Sequence, residues 1–133
     1  DSSTSRGLGD VYKRQVTDRD DLEGQNFSAS YYTCNLNDGK NLSDAYLASN
    51  AELKLGHSKG SKSSSALIRP SSGTNAAEFP FDFVRLFTNP SFTNWGEAVD
   101  GWYDDVRGSA ESNAVRDAFD CNGSTLFSGR IVR

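Results

Sequence analysis

Apolar residues recur along this chain at two spacings, and the changes from one spacing to the other mark its elements. The densest apolar stretch runs from Phe79 to Trp102. Within it Phe81, Phe83, Arg85 and Phe87 alternate with Asp82, Val84 and Leu86, the period of two that defines a strand. Pro90 ends the run, since it has no N–H to give a ladder. Trp95, Ala98, Val99, Trp102 and Val106 then fall at i, i+3, i+4, i+7 and i+11, which is one stripe of a helix. Thr93 or Asn94 is its expected N-cap, with Glu97 in the capping-box position relative to Asn94.

Upstream, F-S-A-S-Y-Y-T-C-N-L places Phe27, Ala29, Tyr31 and Thr33 on one side of a strand and Tyr32, Cys34 and Leu36 on the other, before an N-D-G turn. Asn41 is set to cap a helix with Leu42, Ala45, Tyr46, Ser49 and Leu53 at helical spacing, Asp44 in the first turn and Gly56 as the stop. A loop rich in Ser, Gly and Lys and a short strand, S-A-L-I-R-P, lead into the phenylalanine strand. Beyond the tryptophan stripe, Gly108 and Ser109 interrupt the helix. A shorter helix with Ala114, Val115, Ala118 and Phe119 reaches Cys121, and T-L-F-S-G-R-I-V-R is a last strand whose interior Gly129 suggests a bulge.

The order strand, helix, strand, strand, helix, strand is that of an α+β domain. With right-handed crossovers it becomes a ferredoxin-like βαββαβ fold, a four-stranded antiparallel sheet of order 4-1-3-2 with the helices on one face. Phe81, Phe83 and Phe87 are expected on the face the helices leave bare, where an interface must cover them. In such a sheet the end of strand one lies near the start of strand four, which brings Cys34 to Cys121. A disulfide there closes a loop of nearly ninety residues and contributes about 3–4 kcal/mol; the alternative is two buried free thiols. The disulfide predicts an oxidising setting, periplasmic or secreted.

Charge narrows the partners. A net charge of −4 without any run of four basic residues speaks against a nucleic-acid backbone as partner. No stretch of about 20 apolar residues is available to span a membrane. The opening D-S-S-T-S-R-G-L-G-D-V-Y-K-R-Q has no periodicity and resembles translated sequencing-adaptor sequence. The expected division is therefore a non-native leader over 1–15, a charged linker over 16–26 and one domain over 27–133, with the native start lost.

The pattern C-N-L-N-D-G-K-N-L-S-D-A, the later F-D-F-V-R-L-F and the ending D-A-F-D-C-N-G-S-T-L-F-S-G-R-I-V-R resemble an uncharacterised group of marine bacterial proteins, and these in turn resemble the dimeric alpha/beta-barrel superfamily. The resemblance covers about residues 27–133. It implies two ferredoxin-like units packed sheet against sheet, as a homodimer or with a lost tandem repeat. Relatives include cofactor-free monooxygenases, haem-degrading enzymes, isomerases and modules without chemistry, and fold does not choose among them.

Candidate chemistry is sparse. His57, the only histidine, sits at a helix end, where the dipole favours it without any catalytic role. The haem-degrading relatives carry their histidine on the second helix, where this chain has none. Arg85 shares a strand face with three phenylalanines, and a buried guanidinium must be paired or bind an anion. With Tyr31 and Trp95 it forms the candidate ligand site, set against a plain core role for the tryptophans. Asp100, Asp104, Asp105, Glu111 and Asp117 lack the spacing of a calcium loop, and no metal or cofactor is expected. Asn26, Asn41 and Asn122 open glycosylation triplets, which chance alone supplies often. Three functions follow: a secreted or periplasmic association module that self-pairs through its sheet; a cofactor-independent oxygenase or isomerase acting on a small aromatic or anionic substrate; and a non-catalytic binder of a small ligand.

Overall fold

The computed structural model describes residues 25–73 and 78–132. The expected leader over 1–15 and nearly all of the linker over 16–26 lie outside the described residues. The elements run β1 (Asn26–Leu36), α1 (Leu42–Ser58), β2 (Ser64–Ile68), β3 (Phe83–Asn89), α2 (Phe92–Gly101), α3 (Ala110–Ala118) and β4 (Phe119–Arg130), with a π-helical turn over Trp102–Val106 extending α2. The fold is α+β. Its four strands form an open antiparallel sheet in the order β2-β3-β1-β4, which is the expected order read from the other edge.

Local chemistry accounts for where the helices start. At α1 the Asn41 side chain accepts from the Asp44 N–H at 2.9 Å, while the Asp44 carboxylate accepts from the Asn41 N–H at 2.9 Å, a complete capping box. The helix runs two residues past Gly56, and Gly60, at φ 97°, makes the turn instead. The cap of α2 is Ser91 rather than Thr93 or Asn94: its hydroxyl accepts from the Asn94 N–H at 3.0 Å, so the helix opens directly after Pro90 and Ser91. Ten residues after Phe92 the helix widens, the Arg107 N–H reaching back to the Trp102 carbonyl at 2.7 Å. Gly108, at φ 84°, then breaks it and Ser109 caps α3.

Pairing fixes the faces. Cys34 lies opposite Phe83, Tyr32 opposite Arg85 and Ser30 opposite Phe87, so these residues share one side of the sheet. That side carries the core, in which Phe83 and Cys34 are fully buried against Ala45 of α1, Val115 and Ala118 of α3, and Phe119. The rings of Phe83 and Phe119 meet edge to face, with centroids 5.1 Å apart.

This corrects the interface expected from the sequence. Phe81, Phe83 and Phe87 do not form a bare outer face: Phe83 is roofed by α1 and α3, Phe87 faces the helices, and Phe81 precedes the strand and packs on Phe79. The alternation was sound, but it could not say which side of the sheet the helices would take. The outer face is built from the complementary set, Phe27, Tyr31, Val84, Leu86, Ile68 and Phe127, with Tyr31 and Phe127 meeting edge to face at 5.3 Å.

Cys34 and Cys121 are directly opposed across β1 and β4 and form a disulfide. The register shift between these strands lies at Tyr32/Thr33, opposite Gly123, whose φ of 58° suits only glycine well. Gly129 is no bulge. The Phe27 ring lies across it so closely that a Cβ would collide, a ring-over-glycine contact between neighbouring strands.

Candidate functional site

Between the helix-facing side of the sheet and the helices α1 to α3 lies a cavity of about 470 Å³. Small residues form part of its wall: Ser30 on β1, Ser63 before β2, and Gly101 at the end of α2. A Cβ added at Gly101 would meet no atom within 4 Å. All five residues of the apolar stripe, Trp95, Ala98, Val99, Trp102 and Val106, line the cavity. The stripe read from the sequence thus faces the void as well as the core.

Arg85 sits in this cavity at the middle of β3, only 8% exposed. Strand alternation points it at the helices, and α1 supplies its counter-charge: Arg85 Nη2 donates to Glu52 Oε1 at 2.9 Å, with both side chains about nine-tenths buried. Trp102 Nε1 donates to the other oxygen, Glu52 Oε2, at 3.3 Å. The guanidinium also lies over the rings of Phe87 and Phe119, 4.6 and 5.4 Å from their centroids, where the ring quadrupole attracts a cation. A charged pair this deeply buried is held by two hydrogen bonds and two aromatic faces more than by solvent.

The pair is not saturated. Arg85 Nε is sealed in the protein without a partner, and Nη1 makes no hydrogen bond to any described residue. A second polar station lies four residues along β3, where buried Asn89 accepts from the Ser63 hydroxyl at 2.9 Å. Both residues line the cavity.

Of the site expected from the sequence, Arg85 and Trp95 come together and Tyr31 does not. Tyr31 is on the opposite side of the sheet, and its neighbour Tyr32 takes the place in the cavity wall. Glu52 was missed, although a signal was there. It follows Ala45 and Ser49 on the buried face of α1 at heptad spacing, a carboxylate where an apolar residue would be expected. Asn89 and Ser63 carry no comparable sequence signal. His57 is exposed and outside the cavity wall, and its Nε2–H donates to the Ser63 carbonyl at 2.6 Å.

Among the described residues no group of three or more His, Cys, Asp or Glu side chains is arranged to hold a metal ion, and no helix is long and apolar enough to cross a membrane. No family model matches the chain, and a search of curated proteins finds no match to it.

Proposed function

We propose that this domain binds a small, flat, mostly apolar molecule in the cavity between sheet and helices, without turning it over. The observation that carries the reading is the buried Arg85–Glu52 pair set in the wall of a cavity of about 470 Å³, a volume typical of sites for small molecules. Aromatic surface from Phe87, Trp95 and Trp102 supplies apolar contact, and a few polar groups supply orientation. Binding is favoured over catalysis by what the polar groups already do. Both Glu52 oxygens accept hydrogen bonds, which leaves that carboxylate a poor general base, and the only histidine lies outside the cavity. The disulfide supports a secreted or periplasmic setting, where such bonds persist.

The chain carries its own reporter, because its two tryptophans both line the cavity. Titration with biphenylmethanol, a neutral flat probe, is expected to change tryptophan emission saturably. Gly101→Leu, which puts a side chain into open space at the cavity wall, should weaken that binding at least tenfold in a protein that still unfolds cooperatively. Unchanged affinity in a folded Gly101→Leu protein would remove the cavity from consideration.

A second reading concerns the outer face of the sheet, where Ile68 and Phe127 are 42% and 51% exposed beside Tyr31, Val84 and Leu86. We read the βαββαβ strand order, extended by one helix, as ferredoxin-like, and this face as the surface on which a second copy packs sheet to sheet. Four strands about 4.8 Å apart and some seven residues long offer only about 400 Å² in plan. That is small beside the roughly 800 Å² per partner of a standard interface, so the pairing should be weak and dependent on concentration.

A further inference from the structure

We infer that the ligand is uncharged and two-ended: a flat aromatic body with one carbonyl-type acceptor directed at Arg85 and a second at Asn89. The inference rests on the binding role proposed above and specifies its chemistry. Arg85 and Asn89 lie on the same side of β3 with Phe87 between them, and four strand steps put their Cα atoms about 13 Å apart. Each end offers a spare donor. Arg85 gives one nitrogen to Glu52 and leaves Nη1 without a partner among the described residues. Asn89 takes the Ser63 hydroxyl on its oxygen, and its amide nitrogen makes no hydrogen bond to any described residue. Both residues are more than nine-tenths buried, at 8% and 3% exposure, yet of their nitrogens only Arg85 Nε is sealed without a partner; Nη1 and the Asn89 amide keep access to solvent, so an acceptor on a guest can replace water there.

Charge decides the kind of acceptor. The guanidinium is already neutralised by Glu52 at 2.9 Å. A ligand carboxylate would place a second buried anion beside that carboxylate with no further cation within the pair, and an uncompensated buried charge is strongly disfavoured. Lys59 and Arg116 also line the cavity, but Glu97 and Asp120 line it with them and leave the lining balanced in formal charge. A carbonyl or carboxamide oxygen accepts from Nη1 without bringing charge. The flat body of the ligand packs on the apolar wall that Trp95, Val99 and Trp102 supply, since the Arg85 guanidinium already lies over the Phe87 ring.

Three probes separate this inference from the binding reading on which it rests: biphenylmethanol, a biphenyl with a carboxamide at each para position, and the matching dicarboxylate, all followed by tryptophan emission. The diamide is expected to bind at least tenfold tighter than biphenylmethanol, and the dicarboxylate at least tenfold more weakly than the diamide. Asn89→Leu should weaken diamide binding about tenfold more than it changes the affinity for biphenylmethanol. Glu52→Gln keeps the shape of the wall and frees the guanidinium charge, so it should shift preference toward the dicarboxylate. If all three probes bind equally, or the dicarboxylate binds best to the unaltered protein, the two-ended neutral ligand is refuted while the cavity stands. If none binds, the binding reading itself fails.

Discussion

Removing one partner of the Arg85–Glu52 pair should be far more damaging than removing both. Arg85→Met leaves the Glu52 carboxylate nine-tenths buried with a single remaining donor, Trp102 Nε1 at 3.3 Å. A stranded buried charge of this kind costs about 3–5 kcal/mol. Glu52→Met strands the guanidinium instead, but that group keeps the Phe87 and Phe119 rings at 4.6 and 5.4 Å, each contact contributing about 0.5–2 kcal/mol, so its loss should be smaller, about 2–4 kcal/mol. The double variant puts two flexible apolar side chains of similar length into the same space and should lie within about 2 kcal/mol of the original. The resulting coupling, about 3 kcal/mol or more, is read from urea unfolding of the four proteins. With a slope of about 1–3 kcal/mol per molar urea, a loss of 4 moves the midpoint by more than about 1 M. Because the pair is shielded from solvent, raising the salt concentration should change the coupling little. Single variants that each lose less than about 1 kcal/mol and add without coupling would mean that the pair is solvated, and the reasoning about the cavity wall would go with it.

Reducing the disulfide, or replacing both cysteines by alanine, should lower stability by about 4 kcal/mol from the 87-residue separation it spans; unfolding curves unmoved by reductant, with two free thiols demonstrated by absorbance, would contradict this. Leu86→Lys places a charge at the centre of the outer face and should abolish any self-association seen by sedimentation at high concentration, leaving probe binding unchanged. A dimer that survives Leu86→Lys would have to be built on another surface. Asn41→Ala removes the side chain that caps α1 and should cost about 0.5–2 kcal/mol in thermal or urea unfolding; no measurable loss would show that the cap is satisfied by water.

Period-two and helical spacing in the sequence carried most of the architecture. They grouped Phe83 with Arg85 and Phe87, put Cys34 with Tyr32, and drew the Trp95 to Val106 stripe that lines the cavity. Alternation says which residues share a side, yet not which side receives the helices. That depends on how Ala45, Val115 and Ala118 meet the sheet, and it is why the bare face turned out to be that of Tyr31 and Leu86. Glu52 was hidden because a glutamate on a helix is ordinarily read as solvated; only its phase with Ala45 and Ser49 places it inside. The cavity is harder still to read, since a void is a mismatch of volumes between segments distant in sequence: Ser30, Ser63 and Gly101 share its wall, and no local pattern brings them together. The π-helical turn over Trp102–Val106 likewise has no signature in spacing.

The sulfur bridge has a consequence for damage. It ties position 34 to position 121, and every residue of the cavity wall except Ser30 and Tyr32 belongs to the ring of chain so closed. A protease that nicks the Ser- and Lys-rich connection between α1 and β2 therefore opens the ring without releasing either piece, and the two halves stay joined until a reductant is added.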